Sequence, residues 1–483
     1  MENKEQTPDH SLRRGLKQRY VSMIALGGSI GTGLFVTSGS SISQAGPGGA
    51  IVAYIIMGIM VYFLMTSLGE MATNMPVTGS FATYAGKYVD PALGFAMGWN
   101  YWFDYAINNA VEISTAAIIM KFWLPGVPGW IWSLTVLLLV FILNILAVGN
   151  FGAAEFWISA IKVVTILIFL VVGVLVIFGI LGGHATGLSN FTYKKAPFVG
   201  GIPSIIGVFV VAGFSFQGTE MIGVTAGESQ NPGKSIPKAI HQTFWRILLF
   251  YILSIAVIAA ILPYTSKYLL GSSITISPFT LIFKRAGLAL AASVMNAVIL
   301  TAVISATNSG MYSSTRMLYS MANNGYAPKF FGRVIKNGIP VYSLIATTVI
   351  GLLAFLTSFV GPKIYMWLVD CSSLTGFIAW WGIAISHYRF RRAFVKQGHR
   401  LSELKYHAEL FPLGPILSLV LCTIVIIAQN PSAFTSWNWY EIGITYISVP
   451  LVIILYIVYK IVKHTKLIPL DKVDVKPSTK DHE

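Results

Sequence analysis

Charge is scarce in this chain. Asp, Glu, Lys and Arg make up 11% of its 483 residues, against roughly 25% in soluble domains. No hydrophilic block is long enough to form a soluble domain, so the reading is one membrane domain with short tails. Its expected bounds are a cytoplasmic N-terminal tail at 1–19, a transmembrane domain at 20–463 and a cytoplasmic C-terminal tail at 464–483. Cysteine is nearly absent. Cys371 and Cys422 both fall in apolar stretches, which excludes a disulfide framework and offers no metal-ligand spacing. They read as small buried hydrophobes. No nucleophile–base constellation appears, which argues against an enzyme. The glycine run at 27–33 lacks the G-x-G-x-x-G pattern and the strand context of a dinucleotide site. No cofactor is expected.

The formal net charge is +15, but no aromatic–basic module for nucleic acid accompanies it. About 25 of the 33 Lys and Arg fall in segments assigned to one side of the membrane, as the positive-inside rule expects of cytoplasmic loops. Attraction to anionic lipid is a secondary effect of the same charges.

What the chain has in quantity is apolar sequence, at 55%. Hydropathy predicts twelve spans, near 20–45, 49–72, 94–122, 129–148, 155–182, 201–226, 245–263, 287–315, 341–360, 364–386, 411–428 and 443–462. Basic and non-basic loops alternate between them, which places both termini inside. The expected fold class is an all-α polytopic membrane protein. Arg13 and Arg14 precede the first span, which is too long for a cleaved export signal and is followed by no small-residue cleavage site.

Span 1 contains Gly27-Gly28-Ser29-Ile30-Gly31-Thr32-Gly33. Each glycine weakens a helix by roughly 1 kcal/mol relative to alanine. In lipid, unwound backbone is tolerated only where it is buried in protein or lines a polar cavity. A broken span can hold a carboxylate on exposed N–H groups and an ammonium on exposed C=O groups. The alternative is that these glycines only permit close helix packing. Span 6 repeats the pattern with Gly213-Phe214-Ser215-Phe216-Gln217-Gly218-Thr219-Glu220. Interrupted first and sixth helices predict two five-helix repeats of opposite orientation, about 20–182 and 201–386, with two further helices at about 411–462.

Ionisable groups at membrane depth are costly and need a reason. Glu220 either braces the broken span or binds a cation or proton; the alternative is a structural carboxylate on backbone N–H groups. Glu112 sits in mid-span 3 with Asn108, Asn109 and Ala116 one turn away. It faces either a cationic substrate side chain or a partner on another helix. Asp104, two turns earlier, and Asp370, before Cys371-Ser372-Ser373, either extend a negative pocket, or are solvated or bridge helices. Lys162, roughly 10 Å into span 5 at 1.5 Å per residue, either snorkels to the surface or carries a proton during transport. Phe214, Phe216, Tyr101 and Trp102 could wall a cavity or serve as packing.

The segments at 27–35, 214–220, 226–232, 294–302, 308–312 and 382–392 together resemble the amino acid–polyamine–organocation (APC) permeases of the amino acid transporter family, from about residue 12 to 465. Gln217-Gly218-Thr219-Glu220 is similar to the form found in permeases for basic amino acids. The resemblance implies a LeuT-type 5+5 inverted repeat plus two helices. It implies proton-coupled import of L-lysine by alternating access, with the proton as coupling ion. Gly31, Thr32 and Gly33 would hold the α-carboxylate, and carbonyls at Ser29, Phe214 and Gln217 the α-ammonium. Phe216 would be an aromatic gate, and Lys162 would stand where relatives bind sodium. A permease for arginine, histidine or another amino acid, and a lysine sensor with a membrane regulatory partner, are the alternatives. The expected location is the bacterial plasma membrane.

Overall fold

The computed structural model describes residues 18–23, 30–146, 151–269, 277–335, 338–361, 363–430, 433–434 and 436–477. Ser29 and most of the glycine-rich stretch before it lie outside the described residues. Among the described residues every regular element is helical. They are α1 (Gln18–Met23), α2 (Ser38–Asn74), α3 (Ser80–Tyr88), α4 (Pro91–Met120), α5 (Gly129–Leu146) and α6 (Phe151–Ile177). Then come α7 (Gly201–Phe216), α8 (Met221–Ala226), α9 (Pro232–Arg246), α10 (Leu253–Ile261), α11 (Pro278–Arg285) and α12 (Ala289–Asn323). The last are α13 (Val341–Gly351), α14 (Ala354–Phe359), α15 (Lys363–Lys396), α16 (Leu413–Ile427), α17 (Trp439–Tyr446) and α18 (Ser448–Lys463).

Eight helical runs among the described residues are long and apolar enough to cross a bilayer, or nine if the bent pair α17–α18 is one span. Three features relate this to the sequence-based spans. The run Gly33–Asn74 holds a kink at Gly46, φ 74°, followed by Pro47, so it covers the end of span 1 and all of span 2. Helix α4 has 30 residues, but its polar residues Asp104, Asn108, Asn109 and Glu112 dilute its apolar character. Helix α16 has 15 residues.

Local chemistry sets the helix ends. Asp90 caps α4 by accepting from Ala92 N at 2.9 Å, with Pro91 in the first turn. Proline there loses nothing, since that N–H has no helical partner. Helix α7 stops at Phe216 because Gln217 is extended (φ −56°, ψ 148°) and Gly218 has φ 91°. Only glycine adopts such a φ without strain.

The structure corrects one expectation. The stretch before span 7 is not a loop. Helix starts at Pro232, runs through a π-helical segment at Ile247–Ile252 and ends at Ile261. Ile236, Ala239, Ile240 and Thr243 give α9 a buried face, which the loop reading overlooked. In the region of span 12, α17 and α18 meet at 57°.

Helix α4 packs on both α12 and α15, and α2 packs on α7. Burial separates centre from rim: 83% of the apolar window of α15 is buried, against 22% in α5. The rim helices α5 and α6 present Leu138, Ile142, Val164 and Val171 outward, as lipid contact requires. At the basic end, buried Glu70 accepts from Arg391 Nε at 2.6 Å and Ala408 N at 2.7 Å, and lies 3.1 Å from His387 Nε2. Arg316 and Glu228 form a second buried pair at 3.1 Å.

Candidate substrate site

Residues 31–37 of span 1 meet the turn that separates α7 from α8. Ser215 Oγ donates to Gly33 O at 2.8 Å, and Thr37 Oγ1 donates to the same oxygen at 2.8 Å. A Cβ on Gly33 would lie 2.5 Å from Ser215 Cα and 3.1 Å from Phe214 O. Backbone cannot yield as a side chain can, so glycine at 33 is what permits the approach. Gly33→Ala is therefore expected to lose roughly 1–3 kcal/mol of stability, the usual cost of overpacking. Thermal unfolding in detergent measures this, with Gly443→Ala as the control, because nothing lies within 4 Å of a Cβ there. Equal melting of the two variants would refute the close-approach account.

Beside this contact lies a small cavity lined by Gly31, Gly33, Tyr105, Asn108, Glu112 and Phe214, and by Gln217, Gly218, Met221 and Ala306. Its volume is about 20 Å³, room for about one water. This space is too small for an amino acid.

Glu112 stands at its edge. Its carboxylate accepts from Thr32 N at 3.3 Å and Thr32 Oγ1 at 2.7 Å. A Cβ on Gly31 would be 2.7 Å from Glu112 Oε1. The carboxylate of span 3 thus holds the segment of span 1 that the resemblance assigns to a substrate carboxylate. Glu220 accepts from Tyr105 Oη at 2.7 Å, Trp380 Nε1 at 3.0 Å and Gly218 N at 3.2 Å. Three donors, one of them the backbone of the turn, fasten the break between α7 and α8. Gln217 donates to Ser372 O at 3.0 Å and Ser373 O at 3.2 Å on α15. Gly376 leaves room for it, since a Cβ there would lie 1.7 Å from Gln217 Nε2.

Other expected site residues lie elsewhere. Asp104 is buried in the α4–α15 seam and accepts from Thr375 Oγ1 at 2.9 Å and Ser372 Oγ at 3.2 Å. It bridges helices and does not line the cavity. Tyr101 packs edge-on against Phe81, with centroids 4.4 Å apart. Phe216 points away from the cavity, between Tyr251 at 4.4 Å and Tyr54 at 5.9 Å. Residues two apart on a helix face opposite sides, so Phe214 lines the cavity and Phe216 does not. Asp370 is half-buried on α15, near the far end from Arg391. Its backbone carbonyl accepts from Gln429 Nε2 at 2.7 Å.

Lys162 is fully buried, which removes the snorkelling alternative. Its Nζ donates to Ser305 Oγ at 2.9 Å and lies 3.9 Å from Glu155 Oε1. Ser305 Oγ donates to that same oxygen at 2.6 Å. In the sequence Glu155 opens an apolar run and reads as a boundary residue, and Arg246 reads in the same way. Arg246 is fully buried and donates to Thr219 Oγ1 in the broken segment.

Residues 20–470 match the amino acid permease family. The chain belongs to that family. This permease is 56% identical over 478 residues to the histidine permease HisP of Lactococcus lactis subsp. cremoris, covering 98% of this chain and 99% of that one. It is 56% identical over 476 residues to the lysine-specific permease LysP of the same organism, covering 97% and 94%. It is 54% identical over 464 residues to the lysine-specific permease LysP of Escherichia coli, covering 95% of each. The permease is thus an all-α, multi-pass membrane protein of the APC superfamily.

Proposed function

We propose that this permease imports L-lysine, or another cationic amino acid, across the plasma membrane by proton-coupled alternating access. The observation that carries the reading is Glu112, a buried carboxylate at the edge of a small cavity between the end of span 1 and the turn after α7. Such a cavity needs a second, open conformation to admit substrate, and a transporter cycle supplies it. In that open state the N–H groups of Gly31, Thr32 and Gly33 would receive the α-carboxylate. Carbonyls at Phe214 and Gln217, with Ser29, would receive the α-ammonium. The full reading has twelve crossings, a 5+5 inverted repeat and both termini in the cytoplasm.

Lys162 is the proposed proton carrier. It sits with Glu155 and Ser305 in a buried cluster on α6 and α12, screened from bulk solvent. Two named lysine permeases support lysine as substrate. The histidine permease of equal identity supports a second reading, histidine. Radiolabelled lysine uptake into proteoliposomes, with and without an inward proton gradient, tests both. We expect gradient-driven uptake blocked by unlabelled lysine and near-homologues, and only weakly by histidine or phenylalanine. Blockade by histidine at equal concentration would assign the site to histidine instead. Uptake indifferent to the gradient would remove the coupling.

A further inference from the structure

A second cleft lies on the perimeter, between α4, α15, α16 and α18, with a volume of about 500 Å³. Leu93, Met97, Ile378, Trp381, Val449 and Val452 form its walls, and among the described residues no charged side chain lines it. It opens sideways, where Ile453 is half exposed.

Charge gathers at one end. Ile385 and Tyr456 line that end. One turn further along the same helices stand Arg389 and Lys460, and one turn beyond those Arg392 and Lys463, both exposed. Two of the four cations are occupied. Lys460 donates to Asp90 Oδ2 at 2.5 Å. Arg389 donates to Tyr88 O at 2.9 Å and to Ile468 O. The chain after α18 folds back to frame this end, with Ile468 N donating to Val89 O at 2.9 Å. Arg392 rests over the Tyr388 ring, and neither it nor Lys463 forms an ion pair among the described residues.

We propose that this cleft binds an anionic phospholipid from the leaflet on the basic side. An acyl chain fills the apolar walls, and the headgroup phosphate meets Arg392 and Lys463. Basic pockets between membrane helices recognise such headgroups, and the guanidinium fork suits phosphate oxygens. Charge complementarity selects this occupant. A second copy of the chain would cover the walls but would bring Arg392 and Lys463 against their own like charges. The lipid would join α4 and α15, which carry Glu112 and the partners of Gln217, to the outer helices α16 and α18.

The test uses the full chain purified in detergent and titrated with phosphatidylglycerol or phosphatidylcholine. Bound lipid is read by native mass spectrometry, and melting temperature in parallel. The expected result is preferential retention of phosphatidylglycerol with a raised melting temperature. Arg392→Gln with Lys463→Gln is expected to cut that retention by about tenfold or more, the effect of removing two surface cations. Arg392→Lys with Lys463→Arg is expected to keep it. Thr423→Trp, which fills the cleft, is expected to abolish it. Equal retention of the two lipids, or retention unchanged in the glutamine pair, overturns the proposal. So does efficient cross-linking of two copies through Ile453→Cys at unchanged lipid content, which would assign the cleft to a dimer.

Discussion

Lys162→Met is expected to abolish gradient-driven uptake while leaving exchange of internal for external substrate largely intact. The ammonium is wholly buried, hydrogen-bonded to Ser305 and 3.9 Å from Glu155. Methionine matches its stem but carries no proton. If Lys162 loads and releases the coupling proton, net uptake loses its energy source, whereas exchange needs no net proton movement. Loss of fold is the competing explanation. Removing one partner of a buried ion pair costs on the order of 3–5 kcal/mol, because the other charge is left unanswered. Lys162→Met with Glu155→Gln removes both charges, so its melting temperature should return toward wild type. Coupling should stay lost, because the carrier is still missing. Gradient-stimulated uptake by the stable double variant, at wild-type rate per protein, would reduce Lys162 to a structural role.

Much of this arrangement was legible in the sequence, for reasons that residues make plain. The break at Gln217–Glu220 was visible because glycine, amide and carboxylate have no business in the middle of a lipid-exposed helix. Glu112 was visible as a carboxylate at membrane depth. Its partner was not, because Thr32 is 80 residues away and no periodicity links two helices across a bundle. The partners of Asp104 were hidden in the same way, since its donors are 268 and 271 residues further on. Arg246 shows a different failure. Counting basic residues toward the cytoplasmic side treats each arginine beside an apolar run as a loop marker. This one is instead the last residue of a half-buried helix and reaches into the break. The side taken by Phe216 could have been read in advance. Phe214 and Phe216 are two positions apart on a helix, so they cannot wall one cavity together.

Glu112 does two jobs in this reading, and substitution can separate them. One is to hold Thr32; the other is to present negative charge to a substrate ammonium. Glu112→Gln keeps the first. The amide oxygen can accept from Thr32 N, and its NH₂ can donate to Thr32 Oγ1, because a hydroxyl turns to either role. The melting temperature should therefore stay close to wild type. The charge is gone, and a hydrogen bond to a charged group contributes about 1.5–3 kcal/mol. The KM for lysine is accordingly expected to rise on the order of 10- to 100-fold, at about 1.4 kcal/mol per factor of ten. Competition by neutral amino acids should not weaken. Glu112→Ala fails at both jobs: the buried Thr32 N–H loses its partner, at about 1–3 kcal/mol, and melting should fall together with uptake. An unchanged lysine KM in the glutamine variant would confine Glu112 to the scaffold, and recognition of the cationic side chain would then have to come from another group facing the opened cavity.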